Sequence, residues 1–122
     1  DKDRVLREAF RVLRPGGRFA VSDVVVRGEV PPAIRRSMEL WAGCIAGALG
    51  EDEYAAKLAA AGFRDIGIEI TRVYGAGDAR AFLVAEGIDA ASAAAEVDGK
   101  FASAFVRAVK PAACCAPGCC SR

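Results

Sequence analysis

The sequence predicts an α/β domain followed by a short cysteine-rich tail. Apolar residues recur at helical spacing in residues 5–13 and 34–49. Segments rich in β-branched and aromatic residues lie at 18–26, 66–70 and 100–110. Helices and strands that alternate along a chain are typical of an α/β arrangement. Residues 111–122 are mostly Ala, Cys, Pro and Gly, too poor in packing side chains to hold one shape unaided. We therefore divide the chain into a domain at 1–110 and a flexible tail at 111–122.

The composition limits the possible function classes. The chain has 122 residues, 53% of them hydrophobic, which allows at most one domain. Seventeen basic and 16 acidic side chains leave it nearly neutral, so no basic surface indicates nucleic acid or an acidic membrane as a partner. The longest apolar run, residues 40–49, is shorter than the ~20 residues that a membrane-spanning helix needs. We expect a monomer that binds neither nucleic acid nor a membrane.

The chain has five cysteines, which indicate reduced thiols. It has no histidine, which excludes His-based acid–base catalysis. An odd number of thiols cannot be fully paired within one chain, and no charged-then-apolar leader opens the sequence. Both observations favour a cytoplasmic protein. The first residues enter a helix without an initiator Met, and we expect them to continue from an upstream segment.

The predicted elements of the first half begin with a helix that ends at Pro15, Gly16 and Gly17. Residues 18–26 follow as a buried strand. Pro31 and Pro32 then open a second helix, because proline is tolerated in a first turn. Gly50 ends this helix, and its apolar stripe comprises Ile34, Met38, Trp41, Ile45 and Leu49. We expect Trp41 and Phe10 to lie in the core.

The second half begins with a helix that has three acidic residues at its positive N-terminus and Gly62 as its stop. Residues 66–70 alternate as a half-buried strand, and 75–78 form a turn. Residues 79–97 are predicted to be helical in two pieces around Gly87, with a strand at 82–84 as the alternative. The last strand, 100–110, ends at Pro111; Phe101, Ser103 and Phe105 share one face, and Ala102, Ala104 and Val106 the other. Three strands are too few for a stable sheet, so we expect further strands upstream of Asp1.

The stretch "LREAFRVLRPGGRFAVSD", residues 6–23, resembles one shared by class I S-adenosylmethionine-dependent methyltransferases. In that family a helix, an "LRPGG" turn and a strand lie in the second half of the sheet. The resemblance implies the C-terminal half of a Rossmann-like sheet with helices packed on it.

The segment "LWAGCIAGAL", residues 40–49, is similar to one that contains a substrate-binding cysteine in arsenite S-adenosylmethyltransferases. The order and spacing of residues 31–63 match that family, and "FVRAVKPAACCAPGCC" resembles the end of many bacterial members. The resemblance implies that the full-length enzyme transfers methyl groups from S-adenosyl-L-methionine to trivalent arsenic, in arsenic detoxification. The family's glycine-rich cofactor loop, ribose-binding acid and other substrate cysteines are not in this sequence. No residue here is therefore assigned to the cofactor, and the fragment alone is expected to be inactive.

The same resemblance assigns Cys44 as an arsenite ligand. Trivalent arsenic is soft and is bound best by two or three thiolates, while its lone pair attacks the methyl group. Such an enzyme relies mainly on positioning and needs no general base at the metalloid. On a helix, Cys44 lies at the edge of the apolar stripe, beside Ser37 and Ala48; the alternative is that it is a small core residue. The implied partners are arsenite or a thiol-conjugated arsenite and a reductant such as glutathione or thioredoxin.

Four further thiols, Cys114, Cys115, Cys119 and Cys120, surround a predicted type II turn at residues 116–119. Cys114 and Cys115 are unsuited to pair with each other, because adjacent Cα atoms are ~3.8 Å apart and disulfides need about 4.4–6.8 Å. The spacing lacks the C-x2-C pairs of zinc ribbons. Our interpretation is that these thiols capture arsenite and help to deliver it. A disulfide clip, a metal site and a redox-labile or disordered tail stay open.

Two other functions fit the sequence. The chain could belong to a methyltransferase of another small-molecule acceptor, in which Cys44 only packs. It could also be a non-enzymatic thiol protein that binds a metal or metalloid through the tail.

Overall fold

The computed structural model describes residues 1–30, 32, 47–78, 80 and 98–112. The described elements are α1 (Lys2–Val12), β1 (Arg18–Val26), β2 (Leu49–Gly50), α2 (Glu51–Ala61), β3 (Arg64–Tyr74) and β4 (Phe101–Val109). The predicted second helix, apart from its last residues, and the predicted helices around Gly87 lie outside the described residues. So does the tail from residue 113 onward, and the domain boundary at residue 110 stays a prediction.

The strands form a mixed sheet in the order β2-β1-β4-β3. β1 and β2 are parallel, through the pairs Val25–Leu49 and Val26–Gly50. β4 is antiparallel to both of its neighbours, β1 and β3. The sheet therefore has two distinct ends, which we name after the direction of β1. The carboxyl end contains Val26, Gly50, Tyr74 and Phe101, and the amino end contains Arg18, Arg64 and Val109.

Helix α1 begins at Asp1, whose carboxylate accepts a hydrogen bond from the backbone N–H of Arg4 at 3.0 Å. The helix ends before a tight turn at residues 14–17. Gly16 has a φ of +78°, and a Cβ on Gly17 would lie 2.7 Å from the carbonyl oxygen of Arg14. The turn therefore requires both glycines.

Helix α2 packs beside α1 on one face of the sheet. Lys57 of α2 reaches Asp3 of α1 at 3.0 Å. The helix ends at Gly62, where φ is +106° and a Cβ would lie 2.9 Å from the Cζ atom of Phe10. Both helices bury apolar side chains against the strands, and the resulting core comprises Leu6, Val25, Leu49, Tyr54, Leu58, Phe63, Ala102, Ala104, Val106 and Ala108.

The predictions for the described segments hold with two errors and one extension. One error is the turn predicted at 75–78, because residues 76–78 are helical. The α/β class, the first strand at 18–26, the helix stop at Gly62 and the two faces of the last strand are confirmed. Phe10 packs against the core as expected. Leu49 was predicted to close the second helix, and this is wrong: it pairs with Val25 in β2 and is buried. Apolar residues at helical spacing predict a helix, but the last of them can belong to the strand that follows.

The third strand is longer than predicted, Arg64–Tyr74, because a register shift between Ile70 and Arg72 lets it continue past the alternating isoleucines. No helix that the structure describes has the length and apolar content needed to cross a membrane.

Candidate functional site

A cleft of about 640 Å³ lies at the carboxyl end of the sheet, where β1 and β2 terminate side by side. In sheets with parallel strands, ligands bind in crevices outside the carboxyl ends of those strands. The volume is in the usual range of about 300–1,000 Å³ for small-molecule sites. The described lining residues are Val26, Gly28, Glu29, Val30, Pro32, Gly50, Glu53 and Lys100.

The charged residues of the cleft come from three elements that the fold brings together. Lys100, just before β4, donates a hydrogen bond from Nζ to the backbone carbonyl of Glu29. Its own carbonyl accepts from the backbone N–H of Arg27 at 2.7 Å. The side chain of Arg27 pairs with Glu51, in the first turn of α2, at 3.3 Å. These contacts fix the loop after β1 against the start of α2.

The described residues on both sides of the segment that contains Cys44 lie at the cleft. Val30 and Pro32 line the cleft on the outgoing side, and Gly50 lines it on the returning side. Ala48 lies between Pro32 and Gly50 in the sequence. It is fully buried and packs with Val26 and Phe101. The fold therefore fixes both ends of this segment at the same cavity.

Asp23 of β1 connects both helices to the sheet behind the cleft. Its Oδ2 atom accepts hydrogen bonds from Lys2 of α1 and from the hydroxyl of Tyr54 of α2, each at 3.0 Å. Its Oδ1 atom accepts from the backbone N–H of Val24 at 2.8 Å. Because Tyr54 follows Glu53 directly, this network fixes the first turn of α2 at the wall of the cleft.

Burial raises the pKa of Tyr54 well above its ordinary value, and the nearby Asp23 carboxylate raises it further through its charge and the hydrogen bond. Tyr54 is only 3% exposed. Its hydroxyl therefore stays protonated at neutral pH, and it acts as a hydrogen-bond donor and not as a base.

The residues that the sequence singled out as ligands all lie outside the described residues. Cys44 belongs to the segment 33–46, and Cys114, Cys115, Cys119 and Cys120 belong to 113–122. Within the described ranges, no group of three or more acidic or cysteine side chains is placed to hold a metal ion. Sequence reasoning missed Glu53, Lys100 and the Asp23–Tyr54 pair. The sequence shows the acidic first turn after Gly50. It does not show that this turn lies beside Lys100, because that depends on the order of the strands in the sheet.

A comparison with protein families identifies the fold. The family described as "Methyltransferase domain" matches residues 1–62, which include α1, β1, β2 and α2. The chain belongs to this methyltransferase family.

The curated relatives of the chain include arsenite methyltransferases. The chain is 43% identical over 68 residues to the arsenite methyltransferase of Halobacterium salinarum, a match that covers 56% of this chain and 17% of that protein. It is 30% identical to the solved arsenic(III) S-adenosylmethionine methyltransferase of Chlamydomonas reinhardtii, with a TM-score of 0.64, over 91% of this chain and 33% of that one. The predicted resemblance to arsenite methyltransferases is thus confirmed. The chain spans only a small part of the curated relatives that it matches.

A third comparison supports the fold alone. The phosphoethanolamine N-methyltransferase 2 of Haemonchus contortus, solved with S-adenosyl-L-methionine, is 18% identical, with a TM-score of 0.56 over 91% of this chain and 30% of that chain. The class I methyltransferase fold is therefore confirmed. The Chlamydomonas reinhardtii enzyme, at 30% identity, is itself described as an S-adenosylmethionine methyltransferase.

The junction between β2 and α2 has a single glycine, Gly50, followed by three carboxylates in the first helical turn. The expectation that no residue of this chain binds the cofactor stays a prediction.

Proposed function

We propose that this chain is part of an arsenite methyltransferase, in which Cys44 is a thiolate ligand of trivalent arsenic. The methyl group comes from S-adenosyl-L-methionine, held by residues outside this chain. The observation that supports the proposal most strongly is the cleft: the segment with Cys44 starts and ends at its wall. The relatives named above are arsenite methyltransferases, which supports arsenic as the acceptor.

The covalent chain limits how far Cys44 can lie from the cleft. Cys44 precedes Gly47 by three residues. Because three residues span at most about 11 Å, the Cα atom of Cys44 lies within that distance of Gly47. Gly47 in turn adjoins the buried Ala48 and the sheet residue Leu49. The length of the chain therefore allows this thiol to reach a ligand at the cleft wall.

A site that methylates arsenic needs different side chains from a site that methylates an oxygen or nitrogen atom. Its lone pair is the nucleophile, so no side chain has to remove a proton from it, and soft sulfur ligands hold it. The described cleft provides carboxylates and one lysine, and Tyr54 behind it stays protonated. Arsenite is uncharged at neutral pH, so the carboxylates Glu29 and Glu53 do not repel it, whereas they disfavour an anionic oxyacid. We propose arsenite or its thiol conjugates as substrates, with glutathione or thioredoxin as reductant, in arsenic detoxification in the cytoplasm.

The experiment that tests this function is a methylation assay of the full-length protein with Cys44→Ser. We expect arsenite methylation to fall by about 100-fold or more, because arsenic loses a ligand that positions it for transfer. The matched control is Cys120→Ser, which leaves three of the four tail thiols in place, and at saturating arsenite it should retain activity within about threefold. Methylated arsenic is quantified by chromatography with mass spectrometric detection. Wild-type rates with Cys44→Ser contradict the proposal.

A second candidate function is methylation of an organic acceptor. One relative is named as a methyltransferase with no acceptor given: GfsG of Streptomyces halstedii is 68% identical over 30 residues, which cover 25% of this chain and 11% of that protein. Trp41 is three residues from Cys44 and is the only tryptophan. Arsenite titration of the full-length protein should therefore quench the part of the fluorescence that Trp41→Phe removes if Cys44 binds arsenic, and an unchanged signal favours the organic acceptor.

A further inference from the structure

The cleft at the carboxyl end of the sheet is larger than arsenite alone requires. Its volume of about 640 Å³ is that of a site for a small organic molecule. Arsenite has only a few non-hydrogen atoms, so it leaves most of this volume unfilled. Val26, Val30 and Pro32 form an apolar part of the wall, which suits a hydrocarbon group. The cleft therefore has room for an organic group beside the metalloid.

Lys100 places a positive charge at a fixed point of the cleft wall. Its backbone is held by the bond from Gly99 to the carbonyl of Tyr74 at 3.0 Å and by the bond from Arg27 to its own carbonyl at 2.7 Å. Its Nζ atom donates to the carbonyl of Glu29, the one hydrogen bond of this side chain within the described ranges. Because an ammonium has three N–H donors, two are left for an acceptor in the cleft.

Two carboxylates, those of Glu29 and Glu53, place negative charge on the same wall. Glu29 is exposed, and its carboxylate has no ion pair with any residue that the structure describes. The side chain of Glu53 is 52% exposed and lies 3.9 Å from Nζ of Lys57, beyond hydrogen-bond length. Lys57 donates instead to Asp3 of α1, at 3.0 and 3.1 Å. Both carboxylates therefore retain acceptor capacity for a ligand.

This combination of charges selects among ligands by their charge. A simple anion pairs with Lys100 but meets the two carboxylates, and a simple cation meets the ammonium. An uncharged ligand leaves all three groups without a partner. A zwitterion pairs with both signs at once through charge-assisted hydrogen bonds, and it adds no net charge to the cleft. The described wall is therefore complementary to a small molecule with a carboxylate and an ammonium.

We infer that the cleft binds the α-amino acid head group of a small thiol, with its carboxylate on Lys100 and its ammonium on Glu29 and Glu53. This rests on the proposed function, because the thiol enters the cleft as a ligand of arsenic. The thiol replaces a hydroxide of arsenite: an As–O bond breaks, an As–S bond forms, and the hydroxide leaves as water with the thiol proton, with no redox change. The substrate class is an arsenite conjugate of an amino-acid thiol. Cysteine and glutathione both contain this head group, at different distances from sulfur.

The first test is single-turnover methylation by the full-length protein of arsenite conjugated to different thiols. Cysteine and glutathione contain both charges, cysteamine only the ammonium, 3-mercaptopropionate only the carboxylate, and 2-mercaptoethanol neither. One turnover excludes any effect of the thiols as reductants. We expect half-saturation at a concentration at least about fivefold lower for cysteine or glutathione than for the other three. Whichever of these two is favoured identifies the source of the head group. Equal values for all conjugates overturn the inference, as does a singly charged thiol that matches the zwitterions.

The second test repeats this comparison with Lys100→Met and Glu53→Gln. We expect each variant to reduce the preference for the zwitterionic conjugate to within about twofold, through a rise in its half-saturation concentration, and Lys100→Arg to retain part of the preference. The matched control is Arg107→Met, which removes an exposed cation that pairs with Glu69 at 2.8 Å, away from the cleft. This control should keep the full preference. An undiminished preference in Lys100→Met contradicts the assignment.

The third test measures the head-group site without arsenic. S-methylcysteine has the same head group, but its sulfur has no proton to exchange. Ligand-observed NMR should show that it binds the full-length protein and that Lys100→Met weakens this binding at least about fivefold. No binding to wild type overturns the inference and leaves the role of Cys44 intact. Conversely, wild-type methylation by Cys44→Ser defeats the proposed function, whatever S-methylcysteine shows.

Discussion

The two lysines that flank β4 illustrate how differently the two ends of the sheet are built. Lys110, at the amino end, donates to two carbonyls at the end of α1 and packs on Phe10. Lys100, at the carboxyl end, contacts one loop carbonyl, that of Glu29, and lines a cleft. The amino end is closed by backbone hydrogen bonds and aromatic packing, whereas the carboxyl end leaves charged side chains around a cavity. We therefore predict that stability depends mainly on the amino end, and we propose the carboxyl end for ligand binding.

The largest expected effect comes from two buried phenylalanines, one near each end. Phe63 packs edge-on against Phe10 at 5.1 Å and belongs to the main core. Phe101 belongs to a smaller cluster with Val26 and Ala48 beside the cleft. We expect Phe63→Ala to lower the free energy of unfolding by about 3–5 kcal/mol and Phe101→Ala by less, because the cluster around Phe101 is smaller. Urea titrations measure both, and an equal or reversed order contradicts the assignment of stability to the amino end.

The two lysines give the next test. Lys110→Met removes a charged donor from the end of α1, and we expect a loss of about 1–2 kcal/mol in unfolding free energy. Lys100→Met, the matched variant at the other end, should cost less than about 1 kcal/mol, because its contact is exposed. Thermal unfolding of both variants checks this. If Lys100→Met is the more destabilising of the two, the cleft loop contributes more to stability than the structure indicates.

The Asp23–Tyr54 contact predicts a pH dependence at the boundary between the two regions. The folded state raises the pKa of Tyr54 above its ordinary value near 10. Unfolding above that pH therefore releases a proton, so the stability from this group is complete below pH 10 and declines as pH rises. We expect wild type to lose about 1 kcal/mol more than Tyr54→Phe between pH 9 and 11. Parallel pH profiles for the two proteins contradict a buried, protonated Tyr54.

The smallest effect is expected for the ion pair between Arg27 and Glu51 beside the cleft. Both side chains are more than a third exposed, at 48% and 38%. Glu51→Gln should change the unfolding free energy by less than about 0.5 kcal/mol, because solvent screens such pairs. Chemical denaturation at low and high salt measures this, and a loss above about 1 kcal/mol shows that this loop is as rigidly held as the amino end.

The sequence predicted the long elements because their signals are local. β1 was predicted with its observed bounds from its valines and aromatic residue, and α2 from its acidic start and Gly62. β2 was missed because two residues cannot show an alternation, and Leu49 also fits a helical stripe. The continuation of β3 was missed because the register shift after Ile70 interrupts its pattern.

The candidate site was harder to predict because its contacts are not local. Asp23 and Tyr54 are 31 residues apart, and Lys100 meets Glu29 across 71 residues. No spacing within the sequence reveals such pairs, since they depend on the order of strands in the sheet. Cys44 was found by a resemblance to known enzymes, and its role as an arsenic ligand stays a proposal.

The most direct test of the role of Cys44 is anomalous diffraction at the arsenic absorption edge from crystals of the full-length protein soaked in arsenite. The account predicts an arsenic peak within bonding distance of the Sγ atom of Cys44, near the cleft wall formed by Val26 and Gly50. An occupied arsenic site elsewhere, with the Cys44 sulfur bare and packed in the apolar interior, contradicts it.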